Sequence, residues 1–219
     1  MAKSKAAGGK LGAGIVGLGW VAGEYIKGFA HRGDTEVVTL CSRDLSKAKA
    51  VAKQHGLENC TAYDDYEKML EDERVGLVAI CTPHPQHAPQ TIAAAQAGKH
   101  IIIEKPVAIN LKDLKAMRDA VRKAKVKTVV SFVLRWNPLF ETVKRLLAEK
   151  SLGDLYYGEV DYLHGIGPWY GQYSWNIKKD MGGSALLTAG CHAVDGLRWF
   201  IEKRGCGGAL KPSGFSPGI

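Results

Sequence analysis

The sequence predicts an α/β protein: a parallel sheet alternating with helices, followed by a second, incomplete α/β unit. Three observations carry that prediction. Short apolar runs alternate with helix-like stretches from Leu11 to Leu134. A glycine pattern lies between the first such run and the first helix. The run His100–Ile103 then stops abruptly on two opposite charges and a proline, Glu104-Lys105-Pro106, a sequence that cannot continue a central ladder.

Residues 1–10 read as a disordered tail. Leu11 to Val16 is small and apolar, a strand that runs into Gly17-Leu18-Gly19-Trp20-Val21-Ala22 and then a helix from Val21 to His31. This is the G-x-G-x-x-[G/A] pattern in its proper setting. Gly17 permits the tight turn, Gly19 lets the backbone approach a pyrophosphate, and Ala22 allows close helix–strand packing. The helix start offers free N–H groups to phosphate oxygens. These residues predict a Rossmann dinucleotide-binding domain over residues 11–135, with Gly17, Gly19, Trp20 and Val21 at the cofactor.

Glu36 to Cys41 is the second strand, ending on Ser42-Arg43-Asp44. An acid about 20 residues past the glycines would hold a ribose 2′-hydroxyl, whereas an arginine suits a 2′-phosphate. Ser42 and Arg43 therefore favour NADP(H), with NAD(H) still open because Asp44 can either reach the ribose or cap the helix Leu45 to His55. A weak strand near Cys60 to Tyr63, a helix Asp65 to Glu71 and a strand Val75 to Cys81 continue the alternation. Thr82, Pro83, His84 and His87 follow that strand and are candidates to touch the cofactor; a proline-stiffened loop is the competing reading. After a helix Pro89 to Ala97, Gly98 serves as a left-handed C-cap and His100–Ile103 as a strand buried on both faces. Ligands of open α/β sheets bind outside the carboxyl ends of the strands, so Glu104 and Lys105 are delivered to the expected edge. A solvated Glu-Lys pair is the plain alternative.

Composition narrows the class. Of 219 residues, 46% are hydrophobic and 24% charged, ordinary values for a globular protein. No apolar run approaches the roughly 18 residues that would span a membrane, and no apolar segment follows the first lysines as in a secretory signal. The five cysteines, Cys41, Cys60, Cys81, Cys191 and Cys206, are odd in number and lack Cys-x-x-Cys spacing. They read as reduced thiols in a cytoplasmic protein, with no metal site. The net charge of +8 is scattered along amphipathic helices and carries no aromatic–basic motif, which argues against a nucleic-acid partner.

Further on, Arg135-Trp136-Asn137-Pro138 leads into an amphipathic helix to Lys150, with Leu139, Val143, Leu146 and Leu147 on one face. Leu155 to His164 reads as a strand. Gly165 to Lys179 has no period; its Trp169, Tyr170, Tyr173 and Trp175 either line a sugar pocket or anchor the loop. Ser184 to Phe200 reads as a helix on which His192 and Asp195, spaced i,i+3, share a face.

The motifs Gly17-Leu18-Gly19, Thr82-Pro83-His84-Pro85-Gln86-His87, Ala97-Gly98-Lys99-His100, Glu104-Lys105-Pro106, Arg135-Trp136-Asn137-Pro138 and Gly182-Gly183-Ser184 through Gly190-Cys191-His192-Ala193-Val194-Asp195 occur in one order. In that order the chain resembles the glucose–fructose oxidoreductase/inositol dehydrogenase/MocA family of nicotinamide-dependent sugar and polyol oxidoreductases. The resemblance covers roughly residues 12–204. It implies a Rossmann domain followed by an α/β domain, here residues 136–204, whose open sheet faces substrate and often makes a homo-oligomer interface. It implies that Lys105 touches both substrate and nicotinamide, that His192 is the catalytic acid/base, and that Arg135, Thr188, His192 and Asp195 lie on the substrate side. It also implies that the Lys105–Pro106 bond is cis. Thr188 stands where the family often has an aspartate. Relatives continue well past Glu202, whereas residues 205–219 are rich in Gly, Pro and Ser and read as a second disordered tail. The expectation is therefore an oxidoreductase of a sugar or polyol, cut short at its C-terminus, with the Gly165–Lys179 loop and the tail most open to proteolysis. A nucleotide-binding fragment without turnover is the alternative.

Overall fold

The computed structural model describes residues 9–201. The tail readings, Gly9 and Lys10 apart, and Cys206 lie outside the described residues. The described chain divides into two compact units, residues 9–132 with 164–191, and residues 133–163 with 192–201.

The first unit is built on six strands: β1 (Leu11–Val16), β2 (Thr35–Cys41), β3 (Thr61–Tyr63), β4 (Leu77–Ile80), β5 (His100–Ile103) and β6 (Thr128–Val130). All pair in parallel, in the order β3-β2-β1-β4-β5-β6. This is the dinucleotide-binding order, in which the chain leaves β3 and crosses over to β4 beside β1. Its helices are α1 (Trp20–His31), α2 (Leu45–Gln54), α3 (Tyr66–Glu71), α4 (His87–Gln96) and α5 (Leu111–Ala124). Alternate strand residues feed two cores. Val78, Ile80, Ile101 and Ile103 pack with Met69, Leu70 and Met117; Ala79 and Ile15 pack with Ile26, Phe29 and Leu40. Near-continuous apolar strands are what a sheet covered on both faces requires.

Local chemistry sets the helix starts. Asp44 caps α2 by accepting from the Ser46 and Lys47 N–H groups, and Asp65 caps α3 through Glu67 and Lys68. Asn110 caps α5 through Asp113 N–H. Each such cap satisfies N–H groups that the helix itself cannot. Gly98 has φ 71°, the left-handed conformation expected after α4.

Several boundaries differ from the sequence expectation. The strand expected over Val75–Cys81 is confined to β4, because the Val75 N–H turns back to the Asp72 carbonyl and the Lys99 ammonium donates to the Asp72 and Val75 carbonyls. The run Thr128–Leu134 is a strand only in β6 and then a 3₁₀ turn, Val133–Trp136. The helix expected from Pro89 begins at His87, after a 3₁₀ turn over His84–Gln86. Helix α5 adds an element the periodic reading had not marked. Gly165–Lys179, expected as an aperiodic loop, lies within residues 164–191, which belong to the first unit and carry α7 (Tyr173–Asn176) and α8 (Lys179–Gly182).

The second unit contains α6 (Pro138–Ala148), capped by Asn137 with Pro138 at its first position, and α9 (Cys191–Ile201), whose first residue belongs to the other unit. The helix expected over Ser184–Phe200 is split: a π-turn, Leu186–Gly190, precedes α9. Phe140 meets Phe200 edge-on, and Lys144 donates to the Trp199 carbonyl. The strand expected over Leu155–His164 is absent. Among the described residues no segment pairs with it, and a strand without a ladder leaves its N–H and C=O groups to water. Tyr156 and Leu163 are almost fully exposed there. All the buried apolar side chains of the described chain fall between Ala13 and Met117.

Limited proteolysis should therefore cut first within residues 151–163, not within Gly165–Lys179, leaving an N-terminal fragment of at least residues 9–132. A first cut between Gly165 and Lys179, identified by mass spectrometry, would contradict the packing of α7 and α8. Replacing Ile101, which is 1% exposed, by Ala should cost about 2–5 kcal/mol in urea unfolding.

Candidate functional site

The site is built at the carboxyl edge of the sheet, around the point where β1 and β4 lie side by side. Gly17 leaves β1 with φ 87°, and a Cβ there would come within 2.7 Å of the Cys81 carbonyl and 2.6 Å of the Thr82 nitrogen. Only glycine allows that turn to pass so close to the end of β4. Gly19 follows as the N-cap of α1 with no side-chain cap, open space where its Cβ would be, and no acid in the first helical turn. Trp20 is exposed and Val21 half-buried. The first N–H groups of α1 are thus left without a capping side chain, an arrangement that suits an anion.

At the end of β2 the Ser42 N–H donates to the Tyr63 carbonyl, and the Ser42 hydroxyl accepts from the Asp44 N–H at 3.3 Å. Asp44 caps α2 through one oxygen: its Oδ1 also accepts the Ser46 hydroxyl at 2.6 Å, and these bonds hold its carboxyl below the usual range. Arg43 extends between them, exposed.

Beyond β4, the Thr82 hydroxyl donates to Gln90 at 2.6 Å, and Pro83 leads into the 3₁₀ turn. His84 is buried, edge-on to Trp175 with ring centroids 5.0 Å apart. Burial first, then the neighbouring His87 and Lys105 charges, push its pKa down to about 4, so the ring is neutral near pH 7. His87 has no exposed surface; its Nδ1 lies 2.8 Å from the Pro106 carbonyl oxygen and its Nε2 2.8 Å from that of Thr82. Burial holds its pKa below the ordinary 6.5, although the Thr82 and Pro106 carbonyls and the Glu104 charge act in the opposite direction.

After β5, Glu104 accepts the Tyr25 hydroxyl at 2.8 Å, and burial followed by the Glu104 charge pushes the Tyr25 pKa up, keeping the phenol protonated as the donor. The Lys105 backbone N–H meets the other Glu104 oxygen at 3.3 Å, and the Lys105–Pro106 peptide is cis. The Lys105 ammonium donates to the Thr188 carbonyl at 2.9 Å, while the Thr188 hydroxyl donates to the Gly182 carbonyl. Thr188 sits within the π-turn, a distortion that re-aims backbone carbonyls.

In the second unit, Arg135 grips Asp195 with both arms, Nε to Oδ2 at 2.8 Å and a terminal nitrogen to Oδ1 at 2.6 Å. The Asp195 carboxylate is mostly buried, 13% exposed. His192 is also buried and lies against Tyr162, with ring centroids 5.1 Å apart.

With this geometry in hand, known proteins identify the lineage. Residues 11–132 match the family model for the oxidoreductase family with an NAD-binding Rossmann fold, GFO/IDH/MocA, and residues 140–204 match the GFO/IDH/MocA C-terminal domain. The chain belongs to the GFO/IDH/MocA oxidoreductase family. It is 31% identical over 161 residues to trans-1,2-dihydrobenzene-1,2-diol dehydrogenase of Xenopus tropicalis, covering 74% of this chain and 47% of that one. It is 34% identical over 159 residues to levoglucosan dehydrogenase of Pseudarthrobacter phenanthrenivorans, covering 70% and 40%. Among solved structures, WlbA dehydrogenase of Bordetella pertussis, in complex with NADH and UDP-GlcNAcA, superposes with a TM-score of 0.80 at 27% identity, covering 88% of this chain and 55% of that one. The chain spans less than half the length of these two curated relatives.

Against this family background, Gly17, Gly19, Ser42, Arg43, Thr82, Pro83, Glu104 and Lys105 all follow strands at the carboxyl edge, as the sequence reading required. His87 does not present its ring to a ligand: it is fully buried, with both nitrogens engaged, because it spans from α4 to two backbone carbonyls. Thr188 meets Lys105 through its carbonyl, not its hydroxyl. Asp195 faces Arg135 with both oxygens, which the i,i+3 spacing to His192 gave no means of anticipating. The sequence reading passed over Tyr25 and Gln90, which hold Glu104 and Thr82, while Trp175, read as either a sugar-pocket or a loop-anchoring residue, meets His84 edge-on. Among the described residues no group of three or more His, Cys, Asp or Glu is placed to hold a metal ion, Cys41, Cys60, Cys81 and Cys191 form no disulfide, and no helix is long and apolar enough to cross a membrane.

His84 should make stability depend on acid. Its folded pKa lies below the ordinary 6.5, so its contribution is complete above that value and is lost as pH falls from 6.5 toward 4. The limiting slope is about 1.4 kcal/mol per pH unit. Urea midpoints of His84→Phe, which keeps an aromatic ring against Trp175, should fall less between pH 7 and pH 5 than those of the parent. Equal losses would mean that His84 is solvated in the folded protein.

Proposed function

We propose that this chain supplies the dinucleotide-binding half, and part of the substrate-binding half, of an oxidoreductase acting on a carbinol carbon of a sugar or polyol. One observation carries the reading: an uncapped helix start after a glycine turn and a lysine after β5 occur at the same edge of one parallel sheet. The Gly17–Gly19 turn and the α1 N–H groups fit a pyrophosphate, since side chains are missing where it would lie. Trp20, Val21, Thr82, Pro83 and His84 would border the dinucleotide. When bound, the nicotinamide accepts or donates the hydride.

The chain's own residues do the rest. Lys105 carries a positive charge that draws electron density from a substrate oxygen, and its bond to the Thr188 carbonyl holds the ammonium in one direction. A carbonyl orients it without removing its charge, where the carboxylate common in the family would offset it. His192 relays the proton of the reacting hydroxyl, since an imidazole can both accept and return a proton. Arg135 and Asp195, bonded to one another in the second unit, are the polar side chains there that would meet substrate hydroxyls. The names of two relatives, a dihydrodiol dehydrogenase and a levoglucosan dehydrogenase, support a substrate bearing vicinal hydroxyls or a sugar ring.

The cofactor reading favours NADP(H). Asp44 caps α2 through Oδ1, and beside it Ser42 and the exposed Arg43 offer a hydroxyl and a guanidinium to a 2′-phosphate. Arg43→Ala should weaken NADPH binding by about 1–3 kcal/mol, the scale of a charge-assisted hydrogen bond, and leave NADH binding nearly unchanged. Equal losses for both cofactors in a fluorescence titration would return Arg43 to the solvated surface.

Turnover tests the rest. With NADP or NAD and a panel of sugars and polyols, Lys105→Met and His192→Ala should each keep cofactor affinity and lose roughly 10²–10⁴-fold in rate. Unchanged turnover in His192→Ala would make that histidine a packing residue. Tight dinucleotide binding with no oxidation of any substrate by the parent chain would favour a binding protein over an enzyme.

A further inference from the structure

The geometry points to a role for His87 beyond cofactor contact: it is a positioning residue, a doubly donating imidazolium that ties the end of β4 to the turn carrying Lys105. The role rests on the reading of Lys105 given above; the charge state of the ring does not.

The argument starts from donors and acceptors. Both His87 nitrogens lie 2.8 Å from backbone carbonyl oxygens, those of Pro106 and Thr82. A carbonyl oxygen only accepts, and a neutral imidazole carries a single N–H. In the neutral ring, one nitrogen lone pair would face a carbonyl lone pair at hydrogen-bond distance, with no water to intervene because the residue is completely buried. The imidazolium makes both bonds, and each is strengthened by its charge. The groups facing the ring agree with that state. Glu104, at the end of β5, favours a cation at His87. His84, from the 3₁₀ turn, has its ring centroid 5.7 Å away but is neutral near pH 7 and adds no like charge. Lys105, the remaining cation on that side, directs its ammonium to the Thr188 carbonyl. Opposing it are burial and the N-terminal position of His87 in α4, both of which favour a neutral ring. The hydrogen-bond geometry decides between them, since burial is tolerated by a cation whose donors are all engaged.

The consequence is a cross-brace with a pH limit. Pro106 follows Lys105 directly, so fixing the Pro106 carbonyl to the Thr82 carbonyl fixes the backbone from which Lys105 reaches Thr188. Loss of one ring proton releases one of the two carbonyls. An imidazolium whose folded pKa is raised contributes stability that is lost as pH rises through that pKa; a buried neutral ring would lose it as pH falls below 6.5.

Histidine ring nitrogens can be read directly in the ¹³C,¹⁵N-labelled 219-residue chain by long-range ¹H–¹⁵N correlation at pH 7, with the His87 ring assigned by through-bond correlation from its own backbone. Two protonated nitrogens on that ring are expected; one protonated and one unprotonated nitrogen overturns the proposal, with no variant needed to fold. The stability advantage of the parent over His87→Gln should shrink as pH rises, and shrinkage on acidification instead overturns it equally. For positioning, NADPH titrations across the same pH range should weaken by about tenfold in the parent as the ring loses its proton and releases the Thr82 turn that borders the dinucleotide, an effect separate from the charge of Lys105 and roughly the worth of one charged hydrogen bond. In His87→Gln, whose amide serves one carbonyl, affinity should be lower and flat. Parallel pH profiles in the two proteins would leave the ring a structural brace and sink the positioning role. Absence of NADPH binding at every pH would overturn the dinucleotide reading, and the ring nitrogens would still decide the charge of His87.

Discussion

The structure depends on one close approach, that of the backbone at Gly17 to the peptide joining Cys81 and Thr82. The Gly17 N–H also donates to the Cys41 carbonyl and the Cys81 N–H to the Val16 carbonyl, so the ends of β1, β2 and β4 are stitched together at this point. Any side chain at Gly17 would force β1 and β4 apart just where the strand order reverses. The crevice outside that reversal is where open α/β sheets bind ligands. Every other feature of the carboxyl edge, from Ser42 to Lys105, takes its place from strands whose spacing this contact sets.

Polar groups at that edge are matched within the chain. The Glu104 carboxylate has Tyr25, the Thr82 hydroxyl has Gln90, the Thr188 carbonyl has Lys105, and the Thr82 and Pro106 carbonyls have His87. Each pair removes a penalty that an unmatched buried polar group would carry. The α1 start has no side-chain cap, as α4 also lacks one, but α1 alone of the two begins on a glycine. Where α2, α3, α5 and α6 each begin with Asp or Asn accepting from the helix, α1 begins with glycine and leaves its N–H groups to be met from outside the chain. The opposite edge of the sheet is closed by Lys99, whose ammonium binds two carbonyls instead of water. The same residue type thus locks one edge and equips the other.

The second unit follows a different physical regime. Its described residues have no ladder of paired strands, and none of its apolar side chains is fully buried. What orders it is a two-pronged guanidinium–carboxylate bond, Arg135 to Asp195, together with aromatic contacts of Phe140, Phe200, Tyr162 and His192. Removing Arg135 would leave the mostly buried Asp195 carboxylate without its partner, whereas the better-exposed Arg135 can turn to water.

The sequence by itself determined the sheet, its helices and the edge that carries the chemistry. Those follow from local rules: apolar runs such as His100–Ile103 make buried strands, Asp44 and Asn110 start helices, and Gly17, Gly19 and Gly98 mark backbone that needs freedom. The family order of motifs placed Lys105 and His192 on the list of candidates for the same reason, since the motifs are contiguous in the chain. Only the tertiary structure decided what each side chain is bonded to. Tyr25 reaches Glu104 across 79 positions, Lys105 reaches Thr188 across 83, and Arg135 reaches Asp195 across 60. No periodicity spans such distances, so His87 read as a ligand contact until its two carbonyls appeared, and Asp195 as a partner of His192 until Arg135 did. Leu155–His164 failed for the complementary reason: a strand pattern is local, but a strand exists only when another chain segment completes its hydrogen bonds.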